Sequence, residues 1–224
     1  PTRSRRILPT APGEMPRPSY AVWEFTLACD HRCLHCGPRA GLARDDELTT
    51  EEALRLVDDL ADIGVGEVTL IGGEAYLRND FLLVIRRIRE RGMAATMTTG
   101  GLNITQKRAE AMVEAGIVSV NVSIDGLAAN HDRVRDKQGS WERAFGALKH
   151  LREAGSQIAC NSQINKLNLY DHIEMVDKLA EAGVHSWQLQ VTIPHGNACE
   201  NLDIILQPYD YLEVFDELGD GAFD

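Results

Sequence analysis

Three cysteines, Cys29, Cys33 and Cys36, stand within eight residues of the stretch FTLACDHRCLHCGPRAG (25–41), with His31 and His35 between them. Thiolates at C-x3-C-x2-C can bind three irons of a cubane iron–sulfur cluster and leave the fourth iron open to another ligand. The same residues admit two other readings. With His31 or His35 the cysteines make a tetrahedral zinc set, and three buried thiols can also be plain packing. Position favours chemistry, because the loop directly follows the first strand-like run, where parallel barrels build their active sites.

The rest of the chain bounds that chemistry. It has 224 residues, 44% hydrophobic and 25% charged, enough for one large domain with a substantial core. Outside the triad only Cys160 and Cys199 occur, which argues against a disulfide framework and for reduced thiols in a cytoplasm. The net charge of −11 argues against a nucleic-acid partner, and no apolar run is long enough to span a bilayer, so neither nucleic acid nor membrane is expected as a partner. The start, PTRSRRILPTAPGEMPRPSY (1–20), is basic and proline-rich without the apolar segment of a secretory signal, and reads as an N-terminal arm.

From residue 21 onward, short apolar runs alternate with amphipathic stretches. AVWEFTLA, EVTLI, MAATMTT, VSVNVSI, QIACNSQI and SWQLQVTI read as six strands. Between them lie five helical patterns, each ending at a glycine: Gly64, Gly92, Gly116, Gly155 and Gly183. The first opens with Thr49 and Glu52 at capping-box spacing. QPYDYLEVFDEL (207–218) is a further candidate helix. Strict alternation implies a parallel α/β sheet, either an open doubly wound sheet or a barrel. Polar residues gather at the carboxyl ends of the strands: Thr98 and Thr99, Ser123 and Asp125, Asn161 and Gln163, Gln188 and Gln190. Such ends converge at a barrel mouth but spread out along an open sheet. Six units fall short of eight, so the expectation is a partial (β/α)6 TIM-like barrel.

The motifs CDHRCLHC (29–36), LIGGEAYLR (70–78), TMTTGG (96–101), VSIDG (122–126) and NHDRVRDKQGSWERAFGALKHL (130–151) together resemble the radical S-adenosylmethionine (radical SAM) enzymes. His35 takes the usually aromatic place before the third cysteine, and Gly72, Gly73 and Glu74 match the family's GGE. The resemblance implies a [4Fe–4S] cluster on Cys29, Cys33 and Cys36, with S-adenosylmethionine chelated to the open iron. It implies that Glu74 receives the cofactor ammonium while Gly72 and Gly73 allow close backbone approach. Ser123 resembles the residue that contacts ribose or carboxylate, with Thr98 and Asn161 as candidates for the same duty. Arg133 and Arg135 could pair with the cofactor carboxylate or lie in a solvated polar loop, and Gln163, Gln188 and Gln190 could face the lumen or satisfy one another. Gly100 stands where many relatives have asparagine. Cys160 reads as core, Cys199 as exposed, Trp187 as packing, and Tyr76 and Arg78 as the start of the next helix.

The implied reaction is one-electron cleavage of the cofactor to methionine and a 5′-deoxyadenosyl radical, which abstracts hydrogen from substrate. An electron donor such as flavodoxin or ferredoxin would be a partner. The run from SIDG to INKLN looks most like the SPASM-type subfamily, which mostly modifies peptides and carries a cysteine-rich C-terminal extension. The expected organisation is an arm over 1–20, the barrel over 21–206, and a helix over 207–224 leading to an extension that could hold auxiliary clusters. A peptide substrate is the first reading. A small metabolite is the second, and a metal-binding regulatory or electron-carrier module the third.

Overall fold

The structure is a computed structural model and describes residues 18–212. Strand β1 (Tyr20–Thr26) leads through the cysteine loop to α1 (Thr50–Asp62), and β2 (Glu67–Gly72) through a 3-10 turn (Ala75–Leu77) to α2 (Phe81–Glu90). Then follow β3 (Ala94–Thr99), α3 (Gln106–Ala115), β4 (Ser119–Ser123), α4 (Ala128–Arg135), α5 (Ser140–Ala154), β5 (Gln157–Ile164), α6 (His172–Ala182) and β6 (Trp187–Val191). The capping box forms as the spacing predicts: Thr49 Oγ1 accepts from the Glu52 amide, and the Glu52 carboxylate accepts from the Thr49 amide. All five glycine stops adopt positive φ.

The strands are parallel and lie in chain order, β1 to β6, with no reversal. Right-handed crossovers in an unreversed order place every helix on one face of the sheet. On that face Val68, Leu70, Ala95, Met97, Val120, Val122, Ile158 and Cys160 pack against the helices in one core that includes Val57, Ile85, Met112, Leu148 and Met175. The alternate positions on the opposite face are polar, among them Thr69, Thr96, Asn121, Ser123, Asn161 and Gln163. A flat sheet of six strands at about 4.8 Å spacing would separate β1 from β6 by about 24 Å. Instead a single cavity of about 470 Å³ is lined by the cysteine loop and the carboxyl ends of β2 through β6. The sheet therefore curls into a partial barrel, with β1 and β6 unpaired with each other.

Two local expectations are corrected. Residues 128–135 form a helix rather than a polar loop, and its buried side chains are His131, Val134 and Arg135. An inward face with one valine between a histidine and an arginine leaves little hydrophobic periodicity to detect. Arg135 is thus buried, not solvated. Tyr76 and Arg78 do not begin α2, which starts at Phe81. Arg78 instead pairs in two-pronged fashion with Asp80, at 2.9 and 2.7 Å, and lies over the Phe25 ring. Of the candidate helix over 207–218, helical backbone starts at Asp210, and residues 213–218 lie outside the described residues, as does most of the N-terminal arm. No helix among the described residues is long and apolar enough to cross a membrane.

Candidate active site

The cysteine loop is pinned from four sides. Gly73 and Glu74 donate their amides to Thr26 O and Ala28 O, both at 2.7 Å. That approach explains the paired glycines: a Cβ on Gly72 would lie 2.1 Å from Thr26 O, and one on Gly73 2.0 Å from Ala28 O. The glycines thus let β2 seat the chain entering Cys29. Asp30, next in the loop, accepts from Tyr76 OH and Asn103 Nδ2, each at 2.7 Å. The Leu34 amide donates to Val134 O at the end of α4. The loop after β6 straps the other side, with Asn197 Nδ2 donating to Cys33 O and the Asn197 amide to Cys36 O. That strap spans the unpaired side between β1 and β6 at the mouth.

Each thiol receives one N–H donor. Cys29 Sγ accepts from the His31 amide at 3.4 Å, Cys36 Sγ from the Ala40 amide at 3.3 Å, and Cys33 Sγ from Arg135 Nη1 at 3.7 Å. Burial pushes the Cys29 thiol up to about 12 and the Cys33 thiol to about 11. These sulfurs are shaped for thiolates but need positive charge from a bound group to become so.

Across the cavity, Glu74 is buried, and its carboxylate accepts from Thr99 Oγ1 at 2.5 Å and the Gly100 amide at 2.6 Å. Burial outweighs those bonds and raises its pKa to about 8. Thr98 and Thr99 both line the cavity, and Thr99 is the one that donates to Glu74. Gly100 leaves room for His31, since a Cβ there would stand 2.7 Å from His31 Cε1. His31 Nε2 and Asn121 Oδ1 are buried without hydrogen-bond partners and belong to residues lining the cavity.

Asp125, at the end of the VSIDG run, is fully buried. Its Oδ2 lies 2.9 Å from His35 Nε2 and 2.7 Å from Arg135 Nε, while Oδ1 accepts from the Gln163 amide at 2.8 Å. Burial opposes its charge, but Arg135 and then His35 hold its carboxyl far below the usual range. His131 accepts from the Asp125 amide, and burial followed by the nearby Arg135 charge pushes its pKa down to about 3. Ser123 Oγ donates to Asn161 Oδ1 at 3.1 Å, and Gln163 Nε2 to Gln190 Oε1 at 2.7 Å.

The cavity brings together Cys29, Cys33, Cys36, Gly72, Gly73, Glu74, Thr98, Ser123, Arg135, Asn161 and Gln188. Arg133 is not among its lining residues. Gln163 and Gln190 both face the lumen and satisfy one another. Cys160 is core, Cys199 is exposed, and Trp187 packs at the edge of the core with Nε1 donating to Ser162. Asp125 and Thr99, which the sequence marks only as polar strand ends, acquire roles in the structure: Asp125 as the hub of Arg135 and His35, and Thr99 as the Glu74 donor. The SIDG motif marked the first, but its charge pairing was not legible.

This donor set suits a cluster better than a single zinc ion. Among the described residues, the one group with donor atoms within 4.8 Å of each other is Cys29, Asp30 and His31, which leaves out Cys33 and Cys36. A cubane gives each thiolate its own iron and tolerates the wider spacing. The cavity volume lies in the range of small-molecule sites, and the two orphaned polar atoms await a polar ligand.

The chain resembles known proteins in sequence and in fold. Over 199 residues the chain is 31% identical to the AdoMet-dependent heme synthase of Methanosarcina barkeri, covering 88% of this chain and 56% of that protein. It is 29% identical to the sporulation killing factor maturation protein SkfB of Bacillus subtilis, over 82% of this chain and 45% of that protein. Its fold matches Streptococcus suis SuiB bound to S-adenosylmethionine, with a TM-score of 0.76 at 19% identity, over 91% of this chain and 47% of that one. The chain spans about half the length of the curated relatives it matches. Residues 23–165, more than half of the chain, match the Radical SAM superfamily, and the chain belongs to that family of [4Fe–4S] and S-adenosylmethionine enzymes.

Proposed function

We propose that Cys29, Cys33 and Cys36 hold the [4Fe–4S] cluster, that Gly72, Gly73, Glu74, Thr98, Ser123, Arg135, Asn161 and Gln188 form the S-adenosylmethionine site, and that hydrogen is taken from a peptide. Held there, the two groups would supply 5′-deoxyadenosyl radical chemistry, given an electron from a donor of the flavodoxin or ferredoxin kind. The protein's residues do the rest. Glu74 accepts the cofactor ammonium from a buried position, and the Ser123–Asn161 pair offers hydroxyl and amide to its polar groups.

The observation that favours a peptide is the lumen wall. It presents the amides of Asn121, Asn161, Gln163, Gln188 and Gln190, and Arg135 is the one Lys or Arg among the lining residues. Amides match the alternating donors and acceptors of a peptide backbone, while Arg135, already paired with Asp125, is taken into the cofactor site and leaves no cation for a substrate carboxylate. The relative SkfB is a maturation protein, and the same fold in SuiB has been solved with its precursor peptide SuiA. The heme synthase relatives favour a second reading, a tetrapyrrole. Its carboxylates, however, would want cationic partners that this wall does not offer.

The test is anaerobic reconstitution followed by 5′-deoxyadenosine assays. About four irons per chain are expected, lost on Cys33→Ala. Turnover should rise with a short precursor peptide encoded beside the gene and not with an iron tetrapyrrole. Bound zinc without iron overturns the cluster assignment, and stimulation by the tetrapyrrole alone replaces the peptide.

A further inference from the structure

The three thiols are not equivalent. Backbone amides serve Cys29 and Cys36, but Cys33 receives its N–H from a guanidinium. Arg135 comes from the last residue of α4, is 8% exposed, and makes the contact through Nη1 while its Nε lies 2.7 Å from Asp125. Asp125 is fully buried and is held in turn by His35 Nε2 and the Gln163 amide, so the anchor cannot swing. His35 belongs to the same loop as Cys33. The chain therefore closes a ring: loop, imidazole, carboxylate, guanidinium, and back to a loop sulfur.

We propose that Arg135, aimed by Asp125, is a positioning residue that hydrogen-bonds Cys33 and raises the reduction potential of the cluster. The inference rests on the triad being the cluster site. Reduction by one electron adds a negative charge beside thiolates that are already anionic. A cationic donor on one sulfur favours the reduced form more than the oxidised form. A buried guanidinium acts without the screening that would blunt it at the surface. Asp125 keeps the buried cation compensated, and its two hydrogen-bonding neighbours fix where the remaining guanidinium N–H groups point.

The test is an EPR-monitored redox titration of the reconstituted protein without S-adenosylmethionine, so that any contact of Arg135 with the cofactor plays no part. For Arg135→Gln we expect the reduction equilibrium to move tenfold or more against the reduced form, about 59 mV more negative for a one-electron couple. Arg135→Lys keeps the charge but has one nitrogen where arginine places two, Nε beside Asp125 and Nη1 on Cys33, and should fall between. Should Arg135→Gln assemble no cluster, the lysine variant decides by the sign of its shift. Clusters in either variant that titrate at the wild-type potential overturn the inference, even if iron content or melting temperature has fallen. Absence of an iron–sulfur signal from the wild-type protein would instead overturn the cluster assignment itself.

Discussion

Glu74 carries two opposed requirements. To receive an ammonium it must be anionic, yet it is 3% exposed and burial lifts its pKa to about 8 from an ordinary 4.5. Between those values the folded chain holds a proton that the unfolded chain has released. Stability therefore falls as pH rises from about 4.5 to about 8, by up to about 5 kcal/mol in total. Glu74→Gln carries no such charge. We expect the cofactor-free variant to melt several degrees above the wild type at pH 8, with the gap closing toward pH 5. The same variant should bind S-adenosylmethionine about ten- to a hundred-fold more weakly with its cluster spectrum intact. Thermal melts at the two pH values and equilibrium binding check both halves. A variant less stable than wild type at pH 8 would show that a bound cation, not burial, governs this carboxylate.

At the scale of elements, the turn after β2 does two jobs with adjacent residues. Gly72 and Gly73 seat the cysteine loop, and Glu74 then enters the cavity. A methyl group on Gly73 would sit 2.0 Å from a backbone oxygen, an overlap that only movement of the loop can relieve. Gly73→Ala should therefore lose most of its iron on reconstitution. Gly92→Ala is the matched control, because its Cβ would meet nothing within 4 Å and only its φ of +79° is strained. It should cost about 1 kcal/mol of stability and leave iron content unchanged. Iron analysis alongside chemical denaturation separates the two. Asp132 shows the same economy in α4: its carboxylate accepts from Gly139 N, Ser140 Oγ and Trp141 N, capping α5, while Arg135, one turn on, serves the cavity.

For the whole molecule, an unclosed barrel leaves two sheet edges. Among the described residues, β3 and β4 have hydrogen-bonded neighbours on both sides, while β6 pairs only with β5. Native-state hydrogen exchange should accordingly be slowest at the core positions Met97, Val120 and Val122 and fastest along β6. Equal protection of β6 and β4 would mean that another surface covers that edge in solution. The exposed side chains of Gln188 and Gln190 lie on this strand.

Much of this was legible in the chain. Strand and helix periodicity, the Thr49–Glu52 cap, the glycine stops and the spacing of Cys29, Cys33 and Cys36 are local properties, fixed within a few residues. They sufficed for a six-unit parallel fold with a thiol loop at its mouth. What the tertiary structure alone decided spans longer distances. It buried Arg135 on a helix whose inner face is not apolar, and paired His35 with Asp125, 90 residues away. It also placed Arg135 on Cys33 across 102 residues and raised the pKa of Glu74 by burying it. Desolvation and Coulomb energy depend on separation in space and on excluded water, and spacing along the chain carries neither.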